Sequence, residues 1–350
     1  MNELFEYTTA LDGLRFTPEQ KTRLAARAAA GAAPCRRSRR SLGRAALIAA
    51  CLAAALMVGA GAAGVLKPAV DVFAPLFGGS AAQTEIIDKI GYPVGASDTD
   101  NGVTVTADAI MGDQYNACIV FTFSRDDGQA LLPAGANAKN LLAGGVGGAD
   151  MNVRGGSHGS SWFVDEDPAD STLQMVQVIS SDVPLIGCTA TARFHGLFGW
   201  DDAAGQSVPL VEGEWAFKFS VNYEDSSVTL GGGETFTQDG ICFTINAITL
   251  SPVACRVDYT ADSAVVWSDA PSGRQSDADR REMERYLENV EILLTRTDGT
   301  VLDLSSAGGS ISPEGEHTGC VKSLVLDEIV PLDEVESICV GGIVYPLSAS

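Results

Sequence analysis

Histidine, aromatic residues and positive charge are scarce in this chain of 350 residues. Its three histidines, His158, His195 and His317, lie in a glycine-rich, a strand-like and a loop-like segment respectively. Aromatic residues make up 7% of the chain, and 23 Lys and Arg residues stand against 45 Asp and Glu residues, a net charge of −22. An acidic surface repels nucleic acid. We expect no nucleic-acid partner, no bound metal and no cofactor.

Recognisable catalytic motifs are also lacking. Residues 155–159 match the letters Gly-x-Ser-x-Gly of a nucleophile elbow, but an elbow needs a buried strand before it and a helix after it, and we expect neither. No phosphate-binding loop is found elsewhere. Asp98, Asp100 and Asn101 resemble part of a calcium loop, yet Gly102 falls where another oxygen ligand belongs, which favours a turn. The sequence predicts a protein that is not an enzyme.

What the chain does have is one long apolar run, Ala45 to Leu66, which is 22 residues long and carries neither charge nor proline. A bilayer core of about 30 Å needs about 20 helical residues, so the run predicts one transmembrane helix in a lipid bilayer. Within it Ala55, Gly59 and Ala63 recur every fourth residue. Small residues on one face let helices approach closely, so a homodimer through the span is a further hypothesis.

The charges on either side of the apolar run predict its orientation. Residues 1–44 hold nine Lys and Arg against four Asp and Glu, a net charge of +5; Lys67 adds one positive charge, which leaves −28 for residues 68–350. Positive flanks stay inside, so we expect a cytoplasmic N-terminus and an extracellular C-terminal region at the cell membrane. A cleaved signal peptide with a site near Ala60 to Ala62 is the alternative.

The segment before the run has one helix signal. Thr17 can cap a helix that starts at Pro18, with Gln20 at the capping-box position, and the helix should continue to about Ala30. Nearby apolar residues such as Phe16 suggest docking to a partner. A solvated tail that only orients the protein in the membrane is the alternative.

After the run, residues 67–100 predict short juxtamembrane helices, which either lie near the bilayer surface or, the interpretation we favour, pack beneath the first outer domain. From Val103 onward the pattern changes to short β-branched or aromatic segments. Dipeptides that favour hairpin turns separate these segments: Asn101-Gly102, Asp127-Gly128, Asp239-Gly240 and Asp298-Gly299. The pattern predicts a mainly β protein with two antiparallel β-sandwich domains, residues 101–230 and 231–350. Ser276 to Leu287 should form an exposed helix, and Leu131 to Gly159 should form extended loops.

Six of the eight cysteines follow the apolar run: Cys118, Cys188, Cys242, Cys255, Cys320 and Cys339. Thiols outside the cell can oxidise, and local bridges would join Cys242 to Cys255 and Cys320 to Cys339 across turns that contain proline. Bridges between these pairs, and free buried cysteines, are the open alternatives.

The segments PAVDVFAPLFG, EIIDKIGYPVG and SDTDNGVTVTADAIMGDQYN resemble the membrane-anchored proteins of Gram-positive bacteria grouped as domain-of-unknown-function family 4179. The segments GICFTINAITLSPVACRVDY and DEVESICVGGIVYPL are similar to the immunoglobulin-like domain that follows in that family. The family is similar to anti-sigma factors, so the resemblance implies a cytoplasmic head that binds an extracytoplasmic-function sigma factor through Phe16, Glu19 and Leu24. It implies no catalytic residues.

This chain departs from other anti-sigma factors because only 44 residues precede the span, and these include Cys35 but no histidine. Zinc-binding heads need several sulfur and nitrogen ligands, so no zinc site is expected there. The hypothesis is a single-pass membrane regulator with an outer β sensor for an unknown surface ligand. The alternative is a surface-binding or structural β protein that uses its head only as an anchor.

Overall fold

Four antiparallel sheets and three α-helices account for most of the residues that the computed structural model describes, which are 66–133, 138–143, 147–165, 167–201, 206–268 and 276–347. Contacts group Gly64–Ser350 as one compact unit. The helices are α1 (Ala69–Phe77), α2 (Ala81–Ile90) and α3 (Asp277–Met283). The strands are β1 (Tyr92–Asp100), β2 (Val103–Gly112), β3 (Asn116–Arg125), β4 (Leu141–Ala143), β5 (Gly148–Asp150), β6 (Ser157–Val164), β7 (Thr172–Ser181), β8 (Thr189–Asp201), β9 (Gln206–Ser220), β10 (Val228–Leu230), β11 (Thr235–Gln238), β12 (Ile241–Leu250), β13 (Ala254–Ala261), β14 (Ile292–Arg296), β15 (Val301–Asp303), β16 (Gly308–Glu314), β17 (His317–Val325), β18 (Val335–Val340) and β19 (Ile343–Pro346).

The first half of this unit is a sandwich of two sheets. Sheet I has the strand order β1-β2-β3-β7-β6, and sheet II has β8 at its centre, with β9 on one side and β4 and β5 on the other. Their facing sides bury an aromatic core in which the rings of Phe123 and Phe194 meet edge to face at 5.2 Å. Trp215 of β9 lies in the same core and donates its indole N–H to the carbonyl of Val103 at 2.8 Å.

Strand β2 supplies apolar residues to both faces of sheet I. Val105 and Ala107 point into the sandwich core, whereas Ala109 and Met111 point to the opposite face. A bulge between residues 107 and 109 causes this change of side, because one extra residue reverses which face the following side chains occupy. Asp108 lies at the bulge, is 5% exposed, and forms an ion pair with Lys67 at 3.1 Å.

Helices α1 and α2 cover this opposite face as a third layer. Phe73 and Ile87 are fully buried there against residues of β2, β3 and β7 such as Met111 and Val120. Ser80 begins α2 with a complete capping box, in which its hydroxyl accepts from the N–H of Gln83. The central strands of sheet I, β2, β3 and β7, are therefore buried on both faces.

The second half contains sheet III, with the order β10-β12-β13-β17-β16 and β11 beside β12, and sheet IV, with the order β15-β14-β18-β19. A second core fills the space between them, where Phe243 meets Tyr259 edge to face at 5.7 Å. A capping box at Ser276 begins α3, as predicted, and a π-helical turn, Glu284–Glu288, follows it.

A buried lysine, Lys322 of β17, closes the carboxyl end of this helical segment. Its ammonium donates to the backbone carbonyls of Leu287, Val290 and Ser305 at 2.6 to 2.9 Å. Burial lowers the pKa of Lys322 to about 8, although Glu288 and Asp303 act in the opposite direction. The carbonyls of Leu287 and Val290, at the carboxyl end of this segment, thus have a cationic partner.

The fold class expected from the sequence, a transmembrane helix followed by two separate immunoglobulin-like sandwiches, is wrong. The chain is mainly β, but Gly64–Ser350 is one compact unit of four antiparallel sheets. Residues 67–100 contain the expected short helices, and of the two expected positions the structure shows packing beneath the first β region: α1 and α2 pack on sheet I, and β1 belongs to that sheet. Among the described residues, no helix is long and apolar enough to cross a membrane. The predicted span, apart from Leu66, and the predicted N-terminal helix lie outside the described residues.

If α1 is a structural layer, Phe73→Ala should destabilise the whole unit. Phe73 is fully buried, so its truncation should lower the free energy of unfolding by about 3–5 kcal/mol. Glu85→Ala, at an exposed position of α2, is the control and should change it by about 0.5 kcal/mol or less. Urea titration of both variants measures the difference, and equal midpoints would show that the helices do not support the fold.

Candidate functional site

One side of the first sandwich is closed by two aspartates of β1. Asp98 accepts a hydrogen bond from the backbone N–H of Ala216 at 2.9 Å, and Asp100 accepts one from Glu214 at 2.8 Å. The two carboxylates thus accept hydrogen bonds from every second N–H group along this part of β9. These bonds join the edge of sheet I to the edge of sheet II. Their role is therefore wider than the turn predicted from the sequence.

The other side of this sandwich is open and forms a cleft of about 460 Å³ between β5 and β6. Ligand pockets in proteins usually measure about 300–1,000 Å³, so this volume is adequate for binding. Apolar side chains and polar groups both line the cleft: Met151, Val153, Ile179 and Leu185 are apolar, and Asp150, Ser157, His158, Ser160, Ser161 and Gln177 are polar. We call this region the β5/β6 cleft.

Inside the cleft, the side-chain amide of Gln177, on β7, hydrogen-bonds the backbone at the edge of β5. Its side-chain oxygen accepts from the backbone N–H of Ala149 at 2.8 Å, and its side-chain nitrogen donates to the carbonyl of Ala149 at 3.2 Å. The amide thus takes the place of a neighbouring strand. This contact joins the two sheets at the open side.

Strand β6 is the outer strand of sheet I on this side. One hydrogen bond shows which of its backbone groups face β7 and which face outward. The N–H of Asp182 donates to the carbonyl of Gly156 at 2.9 Å, and these two residues lie opposite each other in the pairing of β6 with β7. In an antiparallel pair, hydrogen-bonded and non-hydrogen-bonded pairs alternate. The backbone groups of Ser157, Gly159 and Ser161 therefore point away from β7, and within the described ranges they have no hydrogen-bond partner.

The residues that match Gly-x-Ser-x-Gly lead into β6 and not into a helix. A Cβ atom at Gly159 would overlap the carbonyl oxygen of Val178, so the extended pairing with β7 requires glycine here. His158 lies with Nε2 3.0 Å from the carbonyl of Ser323 in the second half. The histidine thus connects β6 to β17.

Buried polar groups join the two halves close to this histidine. One oxygen of Asp113, which is 1% exposed, accepts from the backbone N–H groups of Tyr115 and Asn116 and from the Asn116 side chain. The other oxygen accepts from the hydroxyl of Ser251 in the second half at 2.7 Å. The carbonyl oxygen of the Asn116 side chain accepts from the hydroxyl of Ser323 at 2.8 Å.

Arg256 of β13 adds a charged contact to the same region. Its Nη1 donates to the backbone carbonyl of Ser181 at 2.7 Å, and its guanidinium lies 4.3 Å from the ring centroid of Tyr115. Two further hydrogen bonds to Asp258, at 2.9 and 2.7 Å, pair the buried charge. We call Asp113, Asn116, Ser251, Arg256 and Ser323 the polar interface.

The residues predicted to bind a sigma factor, Phe16, Glu19 and Leu24, lie outside the described residues. The residues predicted to bridge are free thiols in the structure. In the β12–β13 hairpin the partner of Cys255 is Leu250, eight residues from Cys242, or about 26 Å along a strand. A disulfide needs its Cα atoms within about 7 Å.

The other predicted pair does not face each other, because Cys320 points into the second core, whereas Cys339 lies between the core residues Ile338 and Val340 and so points to the opposite face of sheet IV. Burial raises the pKa of Cys255 and of Cys320 to about 12, which keeps both thiols protonated at neutral pH. Among the residues that the structure describes, no group of three or more His, Cys, Asp or Glu side chains could hold a metal ion.

Sequence reasoning missed the β5/β6 cleft because it interpreted residues 131–159 as loops. The structure places a 3-10 turn, Ala138–Asn140, and strands β4 and β5 in this segment, and β6 begins within it. The segment is rich in glycine and has few β-branched residues, so its strand character comes from pairing with β7 and β8.

Comparison with known proteins gives little to identify this chain. No protein-family model matches it, and no curated protein matches it. A solved structure described as the conserved domain protein from Bacillus anthracis is similar to it at 17% identity, over 77% of this chain and 83% of that one, with a TM-score of 0.49. These values are too low to carry over a fold or a function.

The polar interface predicts a specific dependence of stability on pH. Burial raises the pKa of Asp113 above 3.8, against hydrogen bonds from Ser251, Tyr115 and Asn116 that lower it. The folded chain therefore keeps this proton to a higher pH than the unfolded chain does. This contribution to the free energy of unfolding is greatest below pH 3.8 and is lost as the pH rises through the folded pKa.

Asp113→Asn removes this titration and keeps the side chain's size. As the pH rises from about 4 to 7, wild type should lose free energy of unfolding relative to the variant. Urea titrations at both pH values measure this difference, with Asp88→Asn, at an exposed position, as the control. A difference between wild type and Asp113→Asn that does not change with pH would contradict the assignment.

Proposed function

We propose that this chain is a regulator held at the cell membrane and similar to anti-sigma factors, which acts by binding. Its β unit lies outside and binds a surface ligand, and its N-terminal segment binds a sigma factor inside. The observation that carries the proposal is the order of charges in the sequence. Five arginines come just before an apolar run of 22 residues, and the −28 of residues 68–350 follows it. This order is typical of an inner head, an anchor and an outer unit.

The β5/β6 cleft is the part of the β unit that best suits a ligand. It is large enough, it has apolar residues such as Met151 and Leu185 beside polar groups, and it lies on the open side of the first sandwich. The polar interface is joined to it through His158, whose ring contacts the carbonyl of Ser323. A ligand at the cleft therefore has a contact through which it can affect both halves.

The test is capture of a sigma factor by the inner segment. The full-length chain in detergent micelles should retain an extracytoplasmic-function sigma factor of the source bacterium. Leu24→Asp and Phe16→Ala should reduce the retained amount by about tenfold, because each removes apolar contact area from the predicted docking helix or its flank. Lys21→Arg keeps the charge and length on the same predicted helix, so it is the matched control.

Retention that is equal in all variants would show that the predicted residues do not form the docking surface. Absence of any retained sigma factor would contradict the regulatory function and favour a surface-binding protein that has its N-terminal segment only as an anchor.

A further inference from the structure

We infer that the free edge of β6 binds an extended polypeptide segment of basic character, which adds to sheet I as a sixth strand. This inference rests on the proposed function, because it names the chemical class of the outer ligand. It concerns residues 157–161 of β6 together with the β5/β6 cleft beside them.

The first argument is the backbone of β6. Ser157, Gly159 and Ser161 present their N–H and C=O groups away from β7, one residue in every two. This is the spacing at which a neighbouring strand offers its own donors and acceptors, and strand addition at a free edge is a common mode of peptide recognition. The side chains at these positions are small, and glycine in a strand often marks a place where another backbone approaches closely.

The second argument is the difference between the two outer strands of sheet I. Strand β1 is joined to β9 by the carboxylates of Asp98 and Asp100, which is one way in which proteins protect a sheet edge. Within the described part of the chain, no carboxylate bonds the backbone of β6 in this way along residues 157–161, where every residue except His158 is exposed. It has neither proline nor a charged residue, the usual means of blocking an edge.

The third argument is the surface beside the edge. Phe163 points into the sandwich core, so by strand alternation Ser157, Gly159 and Ser161 face the cleft, and Trp162 faces the other way. Alternate side chains of an added strand would enter the cleft, near Met151 and Val153, or lie beside Trp162, which is 40% exposed.

Charge favours a basic occupant. Asp150 lines the cleft and would attract a nearby lysine or arginine of the segment. The net charge of −28 on residues 68–350 attracts a basic segment over longer distances. A glycan is the other class of surface ligand. Its rings stack on aromatic faces, but the exposed aromatic residue of β6, Trp162, faces away from the cleft.

The experiment uses the full-length chain in detergent micelles and an acetylated, amidated octapeptide in which valine alternates with lysine or threonine. Binding is followed by fluorescence anisotropy of a labelled peptide and by amide hydrogen exchange of the protein. The peptide should slow exchange at Ser157, Gly159 and Ser161, because their N–H groups gain partners. A soluble cell-wall oligosaccharide is tested in parallel.

Ser161→Pro removes one outward N–H and blocks the edge, while the hydrogen bonds between β6 and β7 are kept, since proline is tolerated where the N–H faces solvent. It should weaken peptide binding by about tenfold or more, whereas Ser161→Ala, the matched control, keeps the N–H and should bind as wild type does.

A second arm changes only the peptide and so does not depend on the folding of a variant. Two peptides are compared, one N-methylated at the odd-numbered residues and one at the even-numbered residues. One of them should not bind, and the other should bind within about threefold of the unmodified peptide, because only alternate N–H groups face β6. Equal binding of the two N-methylated peptides, unchanged binding to Ser161→Pro, no peptide binding, or protection of the three amides by the oligosaccharide alone would each overturn the inference. Retention of the sigma factor is measured separately, in the absence of peptide. A failure of peptide binding therefore does not imply that the proposed regulatory function is wrong.

Discussion

The two halves of the structure meet at the carboxyl group of Asp113, which is buried and accepts hydrogen bonds from both of them. Removing a carboxylate from water costs several kcal/mol unless hydrogen bonds replace those of the solvent. Here the donors come from its own turn and, across the interface, from the hydroxyl of Ser251. Because the acceptor lies in one half and a donor in the other, a small displacement of the halves would break the Asp113–Ser251 hydrogen bond before water could replace it. Breaking this contact between the two sandwiches should therefore lower the free energy of unfolding.

This constraint also positions the candidate site. Asn116 follows Asp113 in the same turn, begins β3, and contacts Ser323 of β17, whose carbonyl lies 3.0 Å from the ring of His158. That ring belongs to β6, the strand that borders the β5/β6 cleft. The interface, the outer strand of sheet I and the cleft are thus connected by short contacts.

Local features of the fold could be predicted from the sequence. Asn101-Gly102 and Asp239-Gly240 adopt positive φ at both residues, as hairpin turns require, and the capping box at Ser276 begins α3. The features that were not predicted come from distant parts of the chain. Ser251 lies 138 residues from Asp113, and Gln177 meets Ala149 through a side chain that no periodicity reveals. The apolar face of α1 looks the same in sequence whether it meets a bilayer or a sheet, so the sequence left both open and the structure places it on sheet I.

The most direct test of this account is whether the two halves unfold together. Trp215 is 1% exposed in the first half and the other three tryptophans are at least 40% exposed, so the fluorescence change on unfolding reports mainly the first core. Cys320 is 2% exposed in the second core, and its labelling by a thiol reagent, measured on the peptide that contains Cys320, reports that core. In urea both signals should have the same midpoint, and Ser251→Ala should lower both equally, by about 1–3 kcal/mol in free energy of unfolding. Two separate midpoints, or a shift in only one signal, would contradict the claim that the polar interface makes the described chain one unit.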